Sequence, residues 1–469
     1  MKSELIKEFS KAVTEGYAAI FAGAGLGHAS GFPNWKELIR PFAEEISLNV
    51  DEEHDLVEVL QYYRNKRGNR TSINQKILNE FSSSNKYNEN IDIITRLPIK
   101  TYWTTNYDHL IEEGLEKHNR KADVKITIEN LSSHVYDRDA VVYKMHGDKE
   151  FPKDTVILRD DYEKYRFNRS MFKTALKGDL VSKTFLFIGF SFEDPNLNYI
   201  LSKLRVLLND NPREHYVFFK KIDFKEDNLT DELKYKQIKQ ELKIEDLKRF
   251  GIQTILVDEY EEVTKILKKV EKNYLLRNIF ISGSLSEPTN GWSNEEIDKF
   301  CYGLGLRLVN KGYRIVSGFG YNIGSMILNG SLRAIRDLKY KRMEDSLSLW
   351  PFPVNTFNDL TDQMKRDYRQ EMINGSGVAI FIFGNKIKDR KIIPSDGMLD
   401  EFKLAKANNK IIIPIGSTGG TAFKILEIVK KDISEYPYLE GYLNILENCK
   451  DIDELIETII IIINNEKAY

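Results

Sequence analysis

Four short stretches of this chain hold side chains that could do chemistry on a bound nucleotide. The first, GAGLGHASGFPNW at residues 23–35, places Gly23, Gly25, Gly27 and Gly31 directly after an apolar run and then adds His28, Phe32 and Trp35. A glycine turn between a strand and a helix lets backbone N–H groups approach a pyrophosphate. Gly23, Ala24, Gly25, His28, Phe32 and Trp35 are therefore candidates for holding a dinucleotide. The second stretch, YWTTNYDHL at 102–110, supplies Asn106, whose amide can hold a ribose hydroxyl or a water, and Asp108, whose carboxylate can offset positive charge. The third, VYKMHGD at 142–148, supplies His146, an imidazole suited to act as a base near neutral pH. The fourth, FIGFSFEDPNL at 187–197, contributes Gly189, Ser191 and Asp194, which with Asp108 join the candidates for holding the cofactor. Each also has a structural reading: Asn106 as the cap of a helix from Tyr107, His146 as a satisfied core histidine, Asp194 as the start of a turn at Pro195.

The glycine turn alone does not decide the matter, because His28 stands where the usual dinucleotide fingerprint has its third glycine or alanine. The elements around the four stretches carry more weight. Leu5, Ile6, Phe9, Ala12 and Val13 repeat at helical spacing and stop at Gly16, which predicts a first helix. Apolar runs at 17–22, 99–105, 140–147, 184–190 and 215–219 read as buried strands with helical patterns between them, the signature of a parallel sheet with crossover helices. Ligands of such sheets sit at the carboxyl ends of the strands, so the four stretches should meet in one cleft. Residues 221–250 are charged and helical, 253–260 read as a strand and 261–275 as a helix. The alternation then restarts, with strands expected at 278–284, 313–320, 378–385 and 410–417. The fold class is α/β, two successive Rossmann-like modules covering 1–275 and 276–469.

The second module has a different chemical vocabulary. All seven histidines precede residue 216, so a module without any fits ligand sensing better than acid–base catalysis. Its phosphate-side candidates are Ser282, Gly283 and Ser284 after one strand, and Gly318 and Gly320 between a strand and a helix. Arg369 and Lys386 would neutralise phosphates, and Glu401 would accept ribose hydroxyls.

Composition excludes several classes. A net charge of −2 over 469 residues gives no overall attraction to nucleic acid or acidic membrane. Two cysteines, Cys301 and Cys449, cannot make a four-ligand zinc site or a secreted disulfide framework, and no metal is expected. The start of the chain lacks a signal-peptide core, and the longest apolar run, Ile459–Ile463, is far below the roughly 20 residues of a membrane span, so the expected setting is the cytoplasm.

Taken in order, GAGLGHASGFPNW, TTNYD, MHGD and GFSFEDP resemble the NAD-binding motifs of sirtuins over roughly residues 15–200. Gly27 stands where sirtuin-like loops commonly carry serine, and the sirtuin zinc module has no counterpart. From about residue 277 the chain resembles the SLOG family of nucleotide sensors, although PSDGMLDE only loosely matches the Pro-Gly-Gly signature of related enzymes. The pairing of the two resembles the effector family of Thoeris anti-phage defence. That resemblance implies an NAD glycohydrolase yielding nicotinamide and ADP-ribose, with NAD as substrate and Asn106 and His146 as the catalytic pair. It implies activation by a cyclic ADP-ribose isomer, made by a TIR-domain partner and bound at Arg369, Lys386 and Glu401 beside Ser282–Ser284. It also implies a homo-oligomer, a tetramer able to assemble further. The rivals are an NAD-dependent protein deacylase, against which the missing zinc ligands count, and a non-catalytic nucleotide-binding protein.

Overall fold

The computed structural model describes residues 1–467 except 83–85, 209–212, 223–230, 340–341, 352–360 and 389. Part of the charged stretch expected to be helical, 223–230, thus lies outside the described residues; Asp231–Lys248 is a helix. The chain divides into two compact units, Met1–Glu271 and Lys272 onward, and the division falls inside the helix Glu261–Leu276.

The first unit is built on seven parallel strands: β1 (Ala18–Ala22), β2 (Thr101–Thr104), β3 (Ala122–Lys125), β4 (Ala140–Lys144), β5 (Thr184–Ile188), β6 (His215–Lys220) and β7 (Ile252–Val257). Their order is β3-β4-β2-β1-β5-β6-β7. Every residue of β1, β2 and β5 is buried, as expected of strands covered by helices on both faces. The helix Lys2–Glu15 ends at Gly16 in the left-handed conformation (φ 79°), as its spacing predicts. Strand β3 escapes a reading based on apolar runs. Its sequence is ADVK, and its buried Asp123 and Lys125 pair with each other at 2.7 Å. The strand expected at 99–105 is limited to Thr101–Thr104, the one at 140–147 to Ala140–Lys144, and the helix after β2 begins at Leu110 rather than Tyr107. Asn106 is therefore not its cap.

The second unit has a five-stranded parallel sheet from β8 (Asn278–Ser284), β9 (Arg314–Ser317), β10 (Leu347–Leu349), β11 (Val378–Phe383) and β14 (Ile411–Ile415), in the order β10-β9-β8-β11-β14. An antiparallel hairpin, β12 (Asn385–Lys388) with β13 (Lys391–Pro394), follows β11. The isoleucine run lies in the helix Ile452–Asn465, where Ile459, Ile460, Ile462 and Ile463 are buried. Among the described residues no helix is long and apolar enough to cross a membrane.

Candidate functional site

In the first unit the register of the sheet sets the site. Ala22 of β1 pairs with Thr104 of β2 and with Ile188 of β5, and Thr104 pairs with Lys144 of β4. Gly23, Asn106, His146 and Gly189 each lie within two residues of that level, so four adjacent strands deliver the four quoted stretches to one sheet end. Strand order reverses between β1 and β5, which is where open α/β sheets leave a crevice for ligands.

The glycines at that crevice have a packing reason. Gly25 N donates to Gly189 O at 2.9 Å, and Gly23 N to Ile188 O at 2.9 Å, so the two turns touch through their backbones. A Cβ on Gly23 would stand 2.4 Å from Gly189 O, and one on Gly189 (φ 65°) would stand 2.1 Å from Leu26 N. Gly27 differs: a Cβ there would make only ordinary contacts, 3.4 Å from Asp108 Oδ2 and 3.5 Å from Phe32 Cδ2.

The first stretch folds as a short helix, Ala24–His28, entered through an extended Gly23. Ala24, Gly25 and His28 are exposed at this turn. The His28 ring Nδ1 sits 3.3 Å from Phe32 O. Phe32 is buried against Phe81, so it supports the turn from below. Half-buried Trp35 heads the helix Trp35–Glu45, whose start is fixed by a capping box between Asn34 and Glu37.

Asn106 is half-buried in the loop after β2. Its backbone N–H donates to Thr104 Oγ1 (2.9 Å) and its Nδ2 donates to Gly23 O (3.1 Å), which joins this loop to the glycine turn. Two residues on, Asp108 is buried and accepts from Leu110 N at 3.1 Å, at the start of the helix Leu110–Lys117 whose N-cap is His109. Burial pushes its carboxyl up to about 6, against the pull of Lys144 and of the Leu110 N–H; Glu112 adds to the rise and His109 opposes it.

His146 is 5% exposed, and its Nε2 faces Asp194 Oδ2 at 3.2 Å, an approach without the alignment of a hydrogen bond. The ring is enclosed edge-on by Tyr162 and Tyr165, with centroids 5.6 and 6.0 Å away. Asp194 has two further partners: Oδ1 accepts from Leu197 N (2.8 Å), capping the helix Pro195–Leu208, and Oδ2 accepts from Tyr162 OH (3.4 Å). Burial alone would raise the Asp194 carboxyl. The facing His146 ring and the N–H groups of Leu197 and Asn196 outweigh it and hold the group below the ordinary aspartate value. Asp194 thus caps a helix, as its reading as a turn start allows, and also pairs with the imidazole, a role its place in the motif did not indicate. Ser191, in contrast, is exposed, its hydroxyl 3.4 Å from Glu193 Oε2.

Sequence reasoning passed over Lys144, His109 and Asp148. Lys144 and Asp148 are both fully buried and paired, with His109 Nε2 at 2.9 and 3.0 Å from the two Asp148 oxygens. The signal was present: a lysine inside the apolar strand AVVYK with an aspartate four residues on. Among the described residues His109, Asp148 and Glu150 bring possible metal-ligand atoms within 4.8 Å of one another, but the Asp148 oxygens are taken up by Lys144 and His109.

In the second unit, Ser282, Gly283 and Ser284 belong to β8 itself rather than to the turn after it, paired with Phe381, Ile382 and Phe383 of β11. Gly283 and Gly320 are forced by contact: a Cβ on Gly320 would stand 1.8 Å from Gly283 O. Gly318 and Gly320 lie in the turn between β9 and the helix Gly324–Asp337, as expected. Ser282 Oγ donates to Glu401 Oε2 at 2.6 Å, and Arg369 Nε lies 3.5 Å from Glu401 Oε1. Burial raises the Glu401 carboxyl above its ordinary value, opposed by Ser282 and Arg369. Lys386 stands apart on the hairpin, its Nζ bonded to Asp396 Oδ1 at 2.5 Å. Arg369, Glu401 and Ser282 form one polar cluster at the carboxyl end of β8, a combination able to hold phosphate and ribose groups together.

Comparisons with known proteins bear on both units. The model of the Sir2- and TIR-associating SLOG family matches residues 262–466, and that of the SIR2-like domain matches residues 100–240. The chain is 44% identical to "NAD(+) hydrolase ThsA" of Bacillus cereus (strain MSX-D12), over 97% of this chain and 96% of that one. It is 42% identical to proteins of the same name from Enterococcus faecium, over 99% of both chains, and from Cytobacillus dafuensis, over 100% of this chain and 97% of that one.

Proposed function

Because the chain belongs to the ThsA family of NAD(+) hydrolases, we propose that its first unit cleaves NAD to nicotinamide and ADP-ribose and that its second unit senses the signal that permits it. The observation that carries the first half is the meeting of Gly23–Gly25, Asn106 and the His146–Asp194 pair at one end of four adjacent parallel strands.

The chemistry asks little of the leaving group. The C1′–N bond breaks with its electron pair on the pyridine nitrogen, so nicotinamide departs neutral and the ribose carbon becomes oxocarbenium-like. Water oxygen then bonds to C1′ and one proton must go. Asn106, with Nδ2 tied to Gly23 O at 3.1 Å, presents Oδ1 as an acceptor for that water or a ribose hydroxyl. With the Nε2 edge of His146 facing Asp194 at 3.2 Å, the other ring nitrogen takes the proton, and the Asp194 carboxylate steadies the imidazolium that forms. Gly23, Ala24 and Gly25 lie where the pyrophosphate passes the switch between β1 and β5, with His28 and Trp35 bordering it. Asp108 offsets the positive charge of the substrate from beneath.

The second unit is read as the sensor. Arg369, Glu401, Ser282 and Lys386, with the Gly283, Ser284, Gly318 and Gly320 backbone, suit a cyclic ADP-ribose isomer, and the matching family's association with TIR proteins supports a TIR-domain partner as its source. A thousandfold activation needs about 4 kcal/mol of differential binding between silent and active states. A homotetramer able to assemble further would share that requirement among identical sites, in the cytoplasm, where depletion of NAD would halt phage growth.

The test is nicotinamide release by the purified full chain, with and without a panel of cyclic ADP-ribose isomers. The expected result is release that depends on one or more isomers and is lost in Asn106→Ala and His146→Ala. Silence with every isomer, or full turnover in those variants, would refute the reading.

A further inference from the structure

Below the cleft one ammonium group serves two loops. Lys144 is the last residue of β4 and is fully buried. Its Nζ donates to the carbonyl oxygens of Asp108 (2.5 Å) and Tyr107 (3.3 Å), and it pairs with the carboxylates of Asp148 and, at 3.2 Å, Glu112. The two carbonyls belong to the loop that carries Asn106. Asp148 belongs to the other loop, just beyond His146. An ammonium with three N–H donors and no acceptor can hold a carbonyl of one loop and a carboxylate of the next simultaneously.

Stability gives little reason for this arrangement, because taking a lysine and its carboxylates out of water costs about as much as their attraction returns, and a well-packed apolar side chain is often as stable. What the apolar replacement lacks is aim. The loops on either side carry the amide and the imidazole on which the proposed hydrolysis depends, and Lys144 sits one residue from the loop of His146 and bonds within two residues of Asn106.

We propose that Lys144 is a positioning residue for the reaction: without touching substrate, it fixes the Asn106 loop to the strand end that carries His146, so that the two catalytic groups keep a set separation over the ribose. The inference rests on the NAD-cleaving reading of the cleft. It has an electrostatic corollary at Asp108, which faces Lys144 from β4, Glu112 and His109 from the helix Leu110–Lys117 and its cap, and the Leu110 N–H. Lys144 holds the Asp108 carboxyl down and Glu112 holds it up.

The experiment compares wild type, Lys144→Met and Glu112→Gln as full chains, using the cyclic ADP-ribose isomer that gives turnover. Two readouts are taken: hydrogen exchange of the segments 105–109 and 145–150, and the pH dependence of nicotinamide release. In Lys144→Met both segments should exchange faster while the second unit is unchanged. Its kcat should fall about 100-fold, the usual loss for a misplacement near 1 Å, with KM within about threefold. The acid limb should move to higher pH in Lys144→Met and to lower pH in Glu112→Gln. Unchanged exchange, or unchanged kcat and acid limb in a folded Lys144→Met, overturns the proposal. If Lys144→Met does not fold, Asp148→Asn, which removes the carboxylate end of the same bridge, decides by whether the segments 105–109 and 145–150 exchange faster. If wild type cleaves no NAD with any isomer, the catalytic reading has failed on its own account, and the exchange data still judge whether Lys144 fixes the loops.

Discussion

Asp194→Asn isolates the charge behind His146 with little other disturbance. The replacement is nearly isosteric, and its side-chain oxygen can still accept from Leu197 N, now 2.8 Å away, so the cap of the helix Pro195–Leu208 is kept. What disappears is a negative charge 3.2 Å from His146 Nε2, in a place where the two side chains are 8% and 6% exposed. At that distance and an effective dielectric near 20 the attraction between an imidazolium and a carboxylate is about 5 kcal/mol. The amide dipole and relaxation recover part of it, leaving about 3 kcal/mol less stabilisation for the cation formed as water is deprotonated. Since each 1.36 kcal/mol is tenfold, kcat should fall about 100-fold while KM changes little. Nicotinamide release under saturating activator measures it, and a kcat within about threefold of wild type would refute the dyad. Stability supplies a second check. The Asp194 carboxyl lies below its ordinary value in the folded chain, so its contribution is present above the unfolded value near 4 and is lost as pH falls through the folded one. The melting-temperature gap between wild type and Asp194→Asn should therefore be open at pH 7 and close on acidification.

Three other outcomes are expected. Gly189→Ala should cost at least about 2 kcal/mol in denaturant titration, because it places a Cβ at φ 65° within 2.1 Å of Leu26 N. Gly27→Ser should stay within about 0.5 kcal/mol of wild type in the same titration, since a Cβ there has ordinary contacts and serine tolerates a helix better than glycine. Glu401→Gln should keep the fold but raise the activator concentration for half-maximal nicotinamide release about tenfold, as charge-assisted bonds are worth about 1.5–3 kcal/mol and Glu401 holds both Ser282 and Arg369.

Most of the sheet was legible because buried parallel strands announce themselves as apolar runs: AAIFA, TYWT and TFLFI are buried throughout. Strand β3 was not, since ADVK hides its burial behind an internal ion pair that only neighbouring Asp123 and Lys125 side chains can form. The convergence of the four stretches followed from topology alone, but pairings among them did not. That His146 faces Asp194, 48 positions away in the numbering, depends on β1 and β2 lying between β4 and β5, an order no local pattern encodes. The glycines teach a related lesson. Gly23, Gly25 and Gly189 invite a phosphate reading, yet each is already required by the backbone contact between two turns. Phe32, a ligand candidate by its place in a motif, also packs its ring on Phe81, a contact the motif does not reveal. Lys144 shows the converse failure: a polar residue in an apolar strand reads as noise until the carbonyls around it are seen.

The position of β5 has a bearing on the order in which the cleft is assembled along the chain. β5 completes the pairing of β1 yet is synthesised after β2, β3 and β4, and it brings with it both Gly189 and Asp194. The first 180 residues hold the glycine turn and His146 but neither Gly189 nor Asp194. The pairing that faces the His146 ring is thus complete along the chain only once β5 and the residues after it have been added.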